Sequence, residues 1–154
     1  MYRLYCDALV QNYFSETNYQ YYAIYPPQFM DDYKRWWVLR GKRDQLSISF
    51  TLLLLRVCAC STQSLRISLR EKIEAELGET AQELTDRFHV AAEKLSEEVP
   101  PGSGGLNHVQ QFFITAVWYK CESRFVDSWH ALSNGIRYAQ EIGEYNHSEQ
   151  QIKP

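Results

Sequence analysis

Residues 46–60 run apolar, interrupted only by Ser47, Ser49, Thr51 and Arg56, and this run constrains the fold more than any other segment. It falls short of the roughly 20 residues that cross a bilayer. A helix that is apolar nearly all round must be covered on most of its surface. The run therefore predicts a central helix with others packed around it and no membrane span. With 154 residues, the chain is long enough for one such core.

The surrounding segments show helical periodicity. Leu4, Tyr5, Ala8, Leu9 and Tyr13 form one stripe within residues 2–14. After Pro26 and Pro27, a helix starting near Pro27 places Phe29, Met30, Tyr33, Trp36 and Trp37 on one face. Asp31 and Asp32 are expected in its first turn, Lys34, Arg35 and Arg40 toward its end, and Gly41 as its stop. Leu65, Leu69, Ile73 and Leu77 recur every fourth residue ahead of Gly78. Thr80 and Glu83 have the spacing of a capping box, followed by Ala81, Leu84, Phe88, Ala91 and Leu95. Residues 100–105 hold two prolines and three glycines and read as an exposed loop. A mostly apolar helix follows over residues 106–121. The last helix, residues 124–142, is expected to bury Phe125, Trp129, Leu132, Ile136, Ala139 and Ile142 along one face and to end at Gly143. No segment alternates at period two for long. The fold class is all-α: an irregular multi-helix bundle of about six or seven helices. Residues 1–143 are its body, and residues 144–154 are expected to be a polar, disordered tail.

Charge narrows the function. A formal net charge of -3 and a pI near 5.8 lack the dense basic patch of a duplex-binding domain, so no direct DNA binding is expected. Nine acidic residues lie between positions 71 and 98, and five basic ones between 34 and 43. Both runs read as solvated faces. The four cysteines, Cys6, Cys58, Cys60 and Cys121, are too sparse for a disulfide framework, and the N-terminus lacks a signal-peptide pattern, so an intracellular location is expected.

Candidate chemistry is thin. Cys58 and Cys60, completed by His89, His108 or His130, would supply zinc ligands by type, yet residues two apart on a helix point about 200° away from each other. Core thiols are the better reading. Gly102, Gly104 and Gly105 precede a helix but lack the Lys-Ser/Thr ending of a phosphate-binding loop. Asp31 and Asp32 beside Phe29 superficially resemble an aspartate-rich magnesium-diphosphate motif, with Lys34 and Arg35 where a third acid belongs. No catalytic, cofactor-binding or metal residue is assigned, no cofactor is expected, and the chain is read as a non-enzyme. A small helical enzyme or metal-binding protein is the alternative.

Two blocks carry a family resemblance. Tyr13, Phe14, Asn18, Ile24, Pro26, Pro27, Phe29, Tyr33, Trp36 and Trp37 are similar to the opening pattern of the regulatory domain of fungal zinc-cluster transcription factors, the middle homology region. Trp129, Gly135, Ile136, Arg137, Ala139 and Gly143 resemble its signature Trp-x-x-x-Gly-x-Ala-Ile-Arg-x-Ala-x-x-x-Gly, with Ser133 at the first Gly and Gly135 at the following Ala. The resemblance spans roughly residues 5–145 and stops at Glu144, which stands where the family has Leu. It implies the N-terminal portion of a larger helical regulatory domain, without the six-cysteine DNA-binding cluster. It also implies a nuclear location and a role in effector or protein-partner binding, with a homodimer or protein partner and a small-molecule effector as partners. The signature residues are expected to pack helices together, Gly143 to end the last helix, and Arg137 to meet a carboxylate or a helix end.

Overall fold

The computed structural model describes residues 2–100 and 102–151. Its helices are α1 (Arg3–Glu16), the single turn α2 (Asn18–Tyr21), α3 (Pro26–Lys42), α4 (Ile48–Gln63), α5 (Ile67–Leu77), α6 (Ala81–Ser96), α7 (Gly105–Cys121) and α8 (Phe125–Gln151). No strand occurs among the described residues. With α2 set aside as one turn, the described residues form an all-α bundle of seven helices.

The apolar run becomes α4, and it is central. Leu52, Leu53, Leu54, Val57, Cys58 and Ala59 are buried, and α1, α6 and α7 pack around them. Ser47 caps the helix by accepting the Phe50 N–H. The interruptions are used as anchors: Thr51 Oγ1 accepts the Trp36 indole N–H at 2.8 Å, which ties α3 to α4. Ser61 Oγ donates to the Leu9 carbonyl at 2.7 Å, and Asn12 Nδ2 donates back to Ser61 Oγ at 3.1 Å, which fixes α1. Phe29 sits in an aromatic cluster with Phe14, Tyr33 and Phe50, and Tyr33 donates its hydroxyl to Asp7 at 2.6 Å. Asn18 clamps the approach to α3. Its side chain accepts the Ile24 N–H and donates to the Ile24 carbonyl, a satisfied buried pair that seats Ile24 in the core.

Local signals set several boundaries. The Thr80–Glu83 box is fully formed, with Thr80 Oγ1 accepting the Glu83 N–H and Glu83 accepting the Thr80 N–H. Gly78 closes α5 at a φ of 69°. The α3 expectations need correction. The helix begins at Pro26, so Asp31 and Asp32 lie beyond its first turn, where they pair with Lys34 and Arg35. Gly41 stays helical, and Arg43 supplies the left-handed stop at a φ of 58°.

The end of α8 also differs from expectation. The backbone stays helical through Gly143 to Gln151, into the segment expected as a disordered tail. Gly143 keeps helical φ, and the Glu and Gln residues beyond it are good helix formers. Residues 152–154 of that tail lie outside the described residues. No single helix among the described residues is long and apolar enough to cross a membrane.

Candidate functional site

Arg56 is the one charge inside the central helix, and a buried guanidinium requires partners. It is 3% exposed. Its Nη1 donates to His89 Nδ1 at 2.8 Å and its Nη2 to Glu93 Oε1 at 2.6 Å, both across on α6. His89 lies flat on Trp118, with ring centroids 3.8 Å apart and planes within 8°. Burial first, and then the Arg56 charge, push the His89 pKa down to about 4. The imidazole is therefore neutral near pH 7, as an acceptor of the Arg56 bond must be. Trp118 in turn donates to Thr85 at 2.9 Å, and Thr85 to the Ala59 carbonyl at 2.7 Å. One polar chain thus joins α4, α6 and α7 through the core.

A cavity of about 210 Å³ lies above this network, lined by Arg56, Glu93, Tyr119, Asp127, His130 and Asn134 among others. Arg56 Nε has no hydrogen-bond partner there among the described residues. The roof is α8, which packs along α7. Ala131 is buried, and Gly135 sits so close to α7 that an added Cβ would lie 3.2 Å from Phe112 Cβ. Ser128 Oγ donates to the Ala116 carbonyl at 2.8 Å and pins the first turns. A second, polar cleft of about 470 Å³ opens at the far end of α4 and α7, where Gln63 bonds the Trp118 carbonyl and Glu122.

The residues singled out from the sequence divide into two groups. Phe29 and Trp36 are core residues, and Trp37 is half-buried beneath the Arg40 guanidinium. Gly135 lies against α7. The others face outward, and the stripe expected to be buried is corrected: Trp129 is 71% exposed, Ile136 53%, and Ala139 is exposed, while Leu132 and Ile142 are half-buried; Arg137 and Gly143 are exposed as well. The reason is steric. Ser128, Ala131 and Gly135 are the small residues that let α8 approach α7 closely, and they lie about 100° round the helix from the Trp129 stripe. Phe125 and Val126, 61% and 69% exposed, extend the open face.

Cys58 and Cys60 point to different neighbours, Cys58 to Cys6 on α1 and Cys60 to the Ile114 carbonyl on α7. Among the described residues, no three of the His, Cys, Asp and Glu side chains are grouped to hold a metal ion. Sequence reasoning missed the Arg56–His89–Glu93 network. Its signal was the lone arginine in an apolar helix, since such a charge must find a carboxylate or another acceptor.

These features define a helical domain built around a buried polar chain, with one long helix apolar on its outer side. The chain belongs to the fungal specific transcription factor domain family, whose model matches residues 10–153. It is also similar to the "Probable transcription factor sol4" of Alternaria solani, at 29% identity over 139 residues, which covers 89% of this chain and 25% of that protein. The chain thus spans about a quarter of the length of this curated relative. No solved structure matches it.

Proposed function

We propose that this chain is a non-enzymatic regulatory module of a nuclear transcription regulator, and that α8 is its output element. The observation that carries this reading is the placement of α8. Its inner side roofs the cavity above Arg56, and its outer side presents Phe125, Trp129 and Ile136 to solvent. A contiguous exposed apolar stripe on a soluble domain marks an interaction surface. A small polar effector in the cavity would meet Asp127, His130 and Asn134 on α8 itself. It would therefore bias the seat of the helix, and with it the surface offered to a protein partner. DNA contact is left to other parts of the regulator, in keeping with the net charge of -3.

The test is a reporter assay with the chain fused to a heterologous DNA-binding domain. The wild-type fusion is expected to change reporter output several-fold relative to the DNA-binding domain alone. A Trp129→Ser, Ile136→Ser double variant is expected to abolish that change while its helical content by circular dichroism stays at the wild-type value, because exposed side chains contribute little to the folding of the single chain. Equal output from wild type and variant would refute the reading.

A further inference from the structure

The outer face of α8 has a pattern that narrows the choice of partner. Phe125, Trp129, Leu132, Ile136, Ala139 and Gly143 follow one another in steps of four and three, the spacing of a coiled-coil seam. At 3.6 residues per turn these six positions fall within an arc of about 80° and extend along about 27 Å of helix. Five of the six, Phe125, Trp129, Ile136, Ala139 and Gly143, are exposed, and Leu132 is half-buried. None carries a charge.

The seam also tapers from bulky to small, and its spacing is palindromic. Position 134 lies midway between 125 and 143, between 129 and 139, and between 132 and 136. Laid antiparallel on itself about that midpoint, the seam pairs Phe125 with Gly143, Trp129 with Ala139 and Leu132 with Ile136. Every pair then sets a large side chain against a small one, or joins two of medium size. A parallel pairing would stack Trp129 on Trp129 and leave a void between the two Gly143 positions. The structure supports room for the antiparallel fit: a Cβ built at Gly143 meets nothing within 4 Å.

We propose that the partner of this face is a second copy of the chain, docked through antiparallel α8 helices about a two-fold axis level with residue 134. The proposal rests on the reading of α8 as an interaction surface. A two-fold contact of this kind closes on itself and stops at a dimer. Antiparallel helices also align their dipoles favourably. Large aromatic side chains bury about 150–250 Å² each, so covering the seam on both copies removes on the order of 1,000 Å². That is the lower end of what a specific interface buries, which fits a weak, reversible dimer of micromolar affinity.

Light scattering on the eluting chain tests this directly. The expected mass is twice the 18.1 kDa of one chain, falling to the single-chain mass on dilution below about 1 µM. Trp129→Glu with Ile136→Glu is expected to weaken association at least about tenfold with unchanged helical content. Register is read by cysteine cross-linking in a Cys121→Ser background. A Trp129→Cys chain mixed with an Ala139→Cys chain is expected to give the mixed disulfide dimer in excess over either self-linked product. A chain that stays monomeric up to about 200 µM, a dimer indifferent to the glutamates, or cross-links dominated by 129 to 129 would each overturn the proposal. If the monomer result came with a reporter that still needs Trp129, the partner would be a different protein and the regulatory reading would stand. A reporter indifferent to Trp129 would remove that reading itself.

Discussion

Acidification should destabilise this domain through His89 in particular. The side chain is 9% exposed, lies flat on Trp118, and accepts a hydrogen bond from Arg56 through Nδ1. Protonation removes that acceptor and puts a second positive charge against a buried guanidinium. Burial and Arg56 accordingly lower its pKa from 6.5 to about 4. Because the folded pKa lies below the unfolded one, the unfolded chain binds the extra proton first. Stability tied to His89 is therefore complete above about pH 6.5 and is lost as pH falls toward 4. At 1.36 kcal/mol per pKa unit, the loss amounts to about 2 kcal/mol at pH 5. That is a substantial part of the 5–15 kcal/mol typical of a domain. The assay is urea denaturation at pH 7 and pH 5 for the wild type and for His89→Gln, whose amide oxygen keeps an acceptor for Arg56 and cannot take up the proton. His108, whose pKa is also lowered by burial, and all carboxylates are common to both proteins. The wild type should lose about 2 kcal/mol more than the variant between the two pH values. Equal losses would refute the reasoning.

Three other outcomes follow from the geometry. Gly135→Val should cost about 1–3 kcal/mol in urea denaturation because its side chain would press on Phe112, whereas Gly143→Ala should leave stability unchanged or raise it by up to about 1 kcal/mol. Thr80→Ala should cost about 1 kcal/mol and fray the start of α6 in hydrogen exchange, since the Glu83 N–H loses its side-chain acceptor. With a water-soluble disulfide reagent, the native protein should show one fast thiol, Cys121, and denaturant should release the buried Cys6, Cys58 and Cys60; more than one fast thiol in the native state would contradict the packing of α4.

How much was legible in the sequence depended on the range of the forces involved. The Thr80–Glu83 cap and the Gly78 stop were readable because hydrogen bonds and backbone strain act over a few residues. The central place of residues 46–60 was readable because an apolar surface all round has only one fate in water. Gly143 misled as a stop because glycine permits a left-handed turn without requiring one, and here it stays helical.

The facing of α8 is the clearest case of what only the tertiary structure decided. Its sequence offers two adjacent stripes, the bulky line through Trp129 and the line of small residues through Ala131 and Gly135. Apolar content alone favours burying the first. Close packing against Phe112 on α7 selects the second, because helix axes approach only where side chains are small. Arg56 tells the same story. Its need for a partner is written in its neighbours, but His89 and Glu93 lie 33 and 37 residues away along the chain, and only the packing of α6 on α4 brings them together. The sequence by itself determined that this chain would be helical, with a buried central element and well-marked ends. Which faces meet, and which remain open to a partner, was decided by how whole helices fit one another.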